Sequence, residues 1–126
     1  MSPQIEGRQN FSSGSPFEPV VGYSRAVKVG NQIFVAGTTS GGIGDNAEEQ
    51  AREIFRRIDT ALGQAGATFE NVVRTRIYLT DIADFDAVGR VHGEIFGEIR
   101  PATSALGVTA LAAPNLLVEV EVDAIL

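Results

Sequence analysis

Cysteine and tryptophan are absent from this chain of 126 residues, and histidine and methionine each occur only once. Without cysteine the protein can form no disulfide, has no thiolate nucleophile and cannot hold a cysteine-ligated zinc ion. The single histidine, His92, would need carboxylates beside it to bind a transition metal. We therefore predict that the protein has no metal site.

Long hydrophobic runs are also missing from the sequence. The longest apolar stretches are far shorter than the roughly twenty residues that cross a bilayer. The residues that open the chain lack the apolar segment of a signal peptide. We expect no membrane association and a cytoplasmic location.

Positive charge is in short supply, with 10 lysines and arginines against 16 aspartates and glutamates and a formal net charge of −6. Affinity for nucleic acids comes largely from lysines and arginines that neutralise phosphates. The charge balance therefore argues against RNA or DNA as a partner.

The composition that is present, with 44% hydrophobic and 21% charged residues, is typical of a globular protein. A chain of this length buries about two-thirds of the surface that its unfolded form exposes. We predict one domain over residues 1–126, in which residues 1–19 form an N-terminal segment that is partly loop. Within and just after that segment, residues 9–20 are predicted to be a loop or a short edge strand.

Runs of β-branched residues predict a hairpin early in the chain. Residues 24–29 and 32–37 are strand-like, and the Gly30-Asn31 pair between them fits a tight turn. The glycine-rich stretch 38–44 lacks the lysine of a P-loop, which favours a flexible connection over a phosphate-binding loop.

Two amphipathic helices and three further strands are predicted after this hairpin. The elements are a helix from about 45 to 65, a strand over 71–80, a helix over about 85–96 and a final pair of strands opened by Pro101. The order is ββαβαββ, an α+β fold. Packing both helices on one face of a single sheet is the economical way to bury them in so short a chain, and it leaves the other sheet face open.

Alternation along the last strand divides its residues between these two faces. Val118, Val120 and Val122 point one way, and Glu119, Glu121 and Asp123 point the other. We expect the valines to meet the helices and the acids to line the open face, where Arg74 and Arg76 have the matching parity. A solvated or salt-bridged sheet face is the simplest expectation for Glu121 and Asp123, and Glu119 is the candidate for chemistry.

His92 lies on the apolar side of the second predicted helix. A histidine there is either a hydrogen-bonded residue of the core or an interface, or a catalytic group. The apolar surroundings favour the structural interpretation, and the catalytic one stays open.

An ordered set of motifs along the chain resembles the YjgF/Rid family. The motifs are Gly22-Tyr23-Ser24, Val29-Gly30-Asn31, Phe34-Val35-Ala36-Gly37, Thr80-Asp81-Ile82, Pro101-Ala102-Thr103-Ser104 and Glu119-Val120-Glu121. The resemblance implies a chorismate-mutase-like α+β fold with one mixed sheet. It also implies a homotrimer whose sheets form a barrel, with clefts between subunits that bind a small molecule without a cofactor.

The resemblance implies site residues as well. Tyr23, Gly37 and Glu119 match the residues that shape the cleft in the deaminases of the family. The helix asparagine of those enzymes falls at Gly89, and the arginine that grips the substrate carboxylate falls at Thr103. A single hydroxyl cannot reproduce a bidentate arginine–carboxylate pair, so Thr103 argues against the parent activity on amino-acid-derived imines.

These considerations leave more than one function open. One is a hydrolase of small enamines or imines that uses Glu119 and water, with Tyr23, Gly37, Thr103 and Arg76 contacting the substrate. Arg100 competes with Arg76 as the replacement for the missing arginine. The alternative is a non-catalytic trimer that binds a small molecule as a sensor, scavenger or pathway accessory, and a weaker alternative is a ribonuclease or translation inhibitor.

Overall fold

The computed structural model describes residues 7–126 and contains one mixed sheet of six strands. The strands are β1 (Arg8–Phe11), β2 (Ala26–Val29), β3 (Gln32–Thr38), β4 (Val72–Leu79), β5 (Ala102–Gly107) and β6 (Val118–Ile125). The α-helices of this part of the chain are α1 (Phe17–Val21), α2 (Ala47–Gln64) and α3 (Phe85–Phe96). From β2 onward this order confirms the predicted ββαβαββ arrangement.

The N-terminal segment holds more structure than the sequence indicated. Strand β1 pairs antiparallel with β2 and forms one edge of the sheet. Of the loop and the short edge strand that were predicted for residues 9–20, the start of this stretch is therefore the edge strand. The short helix α1 was not predicted, because five residues carry no helical periodicity. Residues 1–6 of the predicted segment lie outside the described part of the chain.

Helices α2 and α3 cover one face of the sheet. Helix α2 begins at Asn46, whose Oδ1 accepts a hydrogen bond of 2.9 Å from the backbone N–H of Glu49. The buried helical residues that pack against the valines of β6 are Ala51, Ile54, Phe55, Ile58, Ala61, Leu62, Val88, Val91 and Phe96. In residues 7–126 no helix combines the length and the apolar character needed to cross a membrane.

The two final strands are both present, but they are not neighbours as the expectation of a terminal strand pair implied. Strand β6 lies between β3 and β4 and is antiparallel to both, whereas β5 pairs parallel to β4 at the sheet edge. Residues 108–117 connect the two strands and allow the chain to cross from the edge to the centre. The fully buried valines of β6 explain its central place, because both of its neighbours are needed to exclude water from them.

Strand β4 follows the predicted alternation except at its start. The side chains of Thr75, Ile77 and Leu79 are buried toward the helices. The pairing with β6 is irregular between Val72 and Arg74, so Val72 takes the core position and Val73 is 43% exposed. The irregularity thus shifts the register by one residue at the start of β4.

The open face carries the predicted salt bridges. Arg76 Nη1 lies 3.5 Å from a carboxylate oxygen of Glu121 and 3.5 Å from one of Asp123. The hydroxyl of Tyr78 donates a hydrogen bond of 2.6 Å to Glu121 Oε1. Of the two expectations for Glu121 and Asp123, a solvated or a salt-bridged face, the structure shows the salt-bridged one.

Candidate functional site

Glu119 lies in β6 directly opposite Tyr78 of β4 and is partly buried. Burial raises the pKa of its carboxyl group above the ordinary value, the nearby Glu121 raises it further, and Arg25 partly offsets both effects. The carboxylate contacts the backbone of Gly37, where a β-carbon would overlap Oε2 and lie 3.0 Å from Cδ. A glycine at position 37 is therefore what allows the carboxylate to lie there.

An irregularity in β3 brings Gly37 to this position. The register places Val35 opposite Val122 and then Thr38 opposite Val120, so β3 has one more residue than β6 over this stretch. Such a bulge bends the strand and redirects its side chains, and bulges are common next to active sites. The Thr38 hydroxyl closes the bend by donating a hydrogen bond of 2.8 Å to the carbonyl oxygen of Ala36.

Glu119 and Gly37 line an open cavity of about 980 Å³, together with Tyr23. The cavity lies between the bulge of β3, the segment that includes α1, helix α2 and the 108–117 connection. Phe17 and Val21 of α1 give it an apolar rim. Of the five residues predicted for the site, Tyr23, Gly37 and Glu119 therefore line the same cavity within a single chain.

Thr103 does not join them. It lies on edge strand β5 opposite Thr75, on the helix-covered side of the sheet. Its hydroxyl donates to the carbonyl oxygen of Pro101 at 3.0 Å and lies 2.8 Å from Thr75 Oγ1. The hydroxyl is thus hydrogen-bonded inside its own chain.

Arg76 and Arg100 are also absent from the residues lining this cavity. Arg76 is held between Glu121 and Asp123 on the open face. Arg100 follows α3 in a left-handed backbone conformation with φ of 56°, and its N–H bonds to the Phe96 carbonyl oxygen at 2.8 Å. Neither guanidinium lies beside Glu119 within a single chain.

His92 takes part in a partly buried chain of hydrogen bonds. Its Nε2 lies 2.9 Å from Thr75 Oγ1, which in turn contacts Thr103. Because Thr103 donates to Pro101, it accepts from Thr75, and Thr75 then accepts from His92. Nε2 therefore carries the proton. Burial lowers the pKa of His92, and its ring packs against Phe55 and Phe96, an environment that favours the structural interpretation.

The sequence reasoning missed Arg25, which lines the same cavity as Glu119. Arg25 Nη1 donates to the carbonyl oxygen of Gly37 at 3.1 Å and to Thr38 Oγ1 at 2.5 Å. Its guanidinium carbon lies 5.7 Å from the centre of the Tyr23 ring. The available signal was its place two residues after Tyr23, which strand alternation would put on the same side.

No group of three or more histidine, aspartate or glutamate side chains within residues 7–126 is arranged to hold a metal ion. The polar groups gathered in the cavity are one carboxylate of raised pKa, a phenol, hydroxyls, guanidinium groups and the amides of Gln64 and Asn115. Such a set is suited to moving a proton and to binding an anion.

Comparison with known proteins gives consistent matches. A family model described as Endoribonuclease L-PSP matches residues 14–126. An uncharacterised protein of Streptomyces coelicolor is 40% identical over 125 residues, 94% of this chain and 92% of that protein. A chloroplastic protein of Arabidopsis thaliana named Reactive Intermediate Deaminase A is 32% identical over 105 residues, 79% of this chain and 56% of that protein.

A solved structure from Mycobacterium tuberculosis, of a member of the YjgF/YER057c/UK114 family, superposes with a TM-score of 0.91 at 59% sequence identity. The match covers 94% of this chain and 99% of that one. The similarity therefore extends over nearly the whole length of both chains.

Proposed function

The chain belongs to the endoribonuclease L-PSP (YjgF/Rid) family, and on that premise we propose that it hydrolyses small imines or enamines with Glu119 as the general base. The observation that carries the proposal is the partly buried Glu119 carboxylate of raised pKa, seated on Gly37 inside the cavity. A base whose pKa approaches the working pH is efficient both at taking a proton and at returning it. The relative named Reactive Intermediate Deaminase A supports the same reaction class.

The proposed reaction needs only water besides the substrate. The water oxygen bonds to the carbon of the C=N group while Glu119 accepts a proton from the water and returns it to the nitrogen. Glu119 then carries the proton of the new hydroxyl to the amine, the C–N bond breaks, and ammonia leaves a carbonyl compound behind. An enamine enters the same sequence after a proton shift from nitrogen to carbon.

We further propose that three chains assemble and that the cavity is completed at the boundary between subunits. The open face of the sheet exposes 44% of Phe34 and 45% of Leu106, apolar area that an assembly would cover. Size-exclusion chromatography with light scattering should give a mass close to three times the 13.4 kDa of one chain. A monomer at micromolar concentration would exclude this arrangement.

A non-catalytic binding protein is the second candidate, and one observation favours it. Where the family's deaminases carry an arginine, this chain has Thr103, whose hydroxyl is already bonded to Thr75 and Pro101. The cavity would then hold a small molecule without converting it. A nucleic-acid substrate is disfavoured because the formal charge of −6 repels phosphates.

The deciding experiment measures release of ammonia from freshly generated 2-aminoacrylate and from imines of several other amino acids. We expect wild-type turnover, a loss of at least about 100-fold in Glu119→Gln because the general base is removed, and an unchanged mass of the assembly. Asp123→Asn is the matched control, since Asp123 lies on the same face of the same strand but pairs with Arg76.

Two results would contradict the hydrolase. One is a wild-type protein that releases no ammonia from any of the imines yet binds the corresponding keto acids. That result would support the non-catalytic binding protein instead. The other is turnover that survives in Glu119→Gln. Recovery of activity in Thr103→Arg from a silent wild type would identify the lost arginine as the reason for the silence.

A further inference from the structure

Three arginines line the cavity, and they differ in whether a carboxylate neutralises them. Arg56 and Arg57 both bind Glu53, with N–O distances of 2.6 and 2.7 Å. Among residues 7–126 the structure records no carboxylate within 4.0 Å of the Arg25 guanidinium. Arg25 is therefore the lining arginine whose charge is free to meet an anion from solution.

The Arg25 guanidinium is also held in place. The side-chain hydrogen bonds that the structure records for it in the described residues all use Nη1, which reaches the carbonyl oxygen of Gly37 and the hydroxyl of Thr38. The Tyr23 ring contacts it from a further side, within the range of a cation–π interaction. The edge formed by Nε and Nη2 keeps two parallel N–H donors, the arrangement that fits a carboxylate bidentately.

Glu119 and Arg25 line the same cavity, and the Arg25 charge partly offsets the rise that burial causes in the pKa of Glu119. Both groups contact Gly37, one through its carbonyl oxygen and the other at its α-carbon. A ligand held on Arg25 would thus lie next to the proposed base. The Glu119 charge would repel a doubly charged phosphate more strongly than a singly charged carboxylate.

We infer that Arg25 is the anion-binding residue of this cavity and holds the carboxylate of a small, singly charged ligand beside Glu119. The inference rests on the proposed function and deepens it, because it assigns the carboxylate contact that Thr103 cannot make to a different element of the fold. The ligand class is a small carboxylate whose C=N or C=O carbon adjoins the carboxyl group. The apolar rim at Phe17 and Val21 suits the remainder of such a molecule.

Binding of pyruvate, measured by isothermal titration or by NMR shifts, tests the inference without requiring turnover. We expect wild type to bind pyruvate at least 10-fold more tightly than methyl pyruvate, which lacks the charge, and more tightly than inorganic phosphate. Arg25→Gln should weaken pyruvate binding at least 10-fold. Arg25→Lys should lose part of the affinity, because an ammonium group is a point charge without the planar fork.

Arg52→Gln and Arg90→Gln are the matched controls, since both arginines are exposed on the long helices and neither lines the cavity, and both variants should bind pyruvate within about twofold of wild type. Unchanged pyruvate binding in a folded Arg25→Gln, or loss of binding in either control, would overturn the inference. If Arg25→Gln does not fold, two measurements on the wild-type protein test the inference. Equal affinity for pyruvate and methyl pyruvate would overturn the assignment. A shift of the Arg25 Nε–H resonance that pyruvate causes and methyl pyruvate does not would support it.

The outcomes separate this inference from the proposed function. Arg25-dependent pyruvate binding with no ammonia release supports the anion site and contradicts the hydrolase. Glu119-dependent ammonia release with a KM that is unchanged in Arg25→Gln supports the hydrolase and overturns the anion site.

Discussion

The carboxylate of Glu119 lies against the α-carbon of Gly37, at the one place where any larger residue would displace it. The two residues are on neighbouring strands, and the bulge in β3 turns the Gly37 backbone toward β6. The position of the proposed base is thus set by the absence of a side chain. This relationship can be tested separately from the stability of the fold.

Gly37→Ala should lower turnover by roughly 10- to 100-fold, because a displacement of about 1 Å at a reacting group has effects of this size. The backbone at Gly37 is not in the left-handed region, and the contact is with the end of a flexible side chain. The free energy of unfolding should therefore change by no more than about 1 kcal/mol. Urea denaturation and the ammonia assay measure the two effects separately.

Gly63→Ala provides the control for that substitution. Gly63 is in helix α2, and an added β-carbon there would have no neighbouring atom within 4 Å. We expect a stability gain of up to about 1 kcal/mol from the better helix former and unchanged turnover. Equal loss of turnover in the two variants would show that Gly37 has no special relation to Glu119.

Glu119→Gln should make the protein more stable at pH 7, in addition to removing the base. The folded-state pKa of Glu119 is raised above the unfolded value of 4.5, so the folded state binds more protons than the unfolded state as pH rises through that range. The ionised Glu119 carboxylate therefore lowers the free energy of unfolding at pH values above its folded-state pKa. Well below pH 4.5 the group is protonated in both states and has no such effect. The side chain is partly solvated, which limits the expected gain to a few tenths of a kcal/mol up to about 1 kcal/mol.

Urea denaturation at pH 7 and at pH 4 measures this difference. The advantage of Glu119→Gln over wild type should be larger at pH 7 than at pH 4. An advantage of equal size at both values, or none at pH 7, would contradict the raised pKa. Asp123→Asn should show no such gain, because its carboxylate is paired with Arg76.

The sequence was sufficient to predict the faces of the sheet but not the neighbours of each strand. The alternation of Val118 and Val120 with Glu119 and Glu121 determines which side is buried, since successive side chains point to opposite faces. It says nothing about which strand lies beside β6. That order depends on how well the fully buried valines of β6 are covered, and this is a property of the whole molecule.

The missed parts of the site have a similar origin. Arg25 reaches the cavity because the bulge in β3 presents the Gly37 carbonyl oxygen and the Thr38 hydroxyl to it, and a bulge has no clear sequence pattern. Strand alternation had already placed Glu119 on the open face, whereas Tyr23 and Gly37 were found through the family resemblance, which carries this three-dimensional information.

His92 should make stability depend on pH just below neutrality. Burial lowers its folded-state pKa below the unfolded value of 6.5, so the unfolded state takes up a proton first as pH falls. Its contribution is fully present above pH 6.5 and is lost as pH falls through the folded-state pKa. His92→Gln keeps an N–H donor for Thr75 and removes the titration. The drop in unfolding free energy between pH 7.5 and 5.5 should therefore be smaller in His92→Gln, and equal drops would contradict the assignment.

Gln50 of helix α2 is hydrogen-bonded to the 108–117 connection that borders the cavity, and it is only 2% exposed. Its Oε1 accepts from the Leu117 N–H at 2.9 Å, and its Nε2 donates to the carbonyl oxygen of Asn115 at 3.0 Å. Gln50→Met keeps the volume but leaves these buried backbone groups unpaired, which should cost about 1–3 kcal/mol in urea denaturation. Faster hydrogen exchange at the Leu117 amide would locate the loss in this connection.

Gln64→Met is the matched control, because Gln64 is an exposed glutamine at the end of the same helix. It should change the free energy of unfolding by less than about 0.5 kcal/mol and leave hydrogen exchange at the Leu117 amide unaffected.

Since Asn115 and Leu116 line the cavity, Gln50→Met should also raise KM for an imine substrate more than it lowers kcat. A Gln50→Met variant as stable as Gln64→Met would show that the connection is held by other contacts, such as the Thr80 N–H to Leu117 carbonyl hydrogen bond of 3.2 Å.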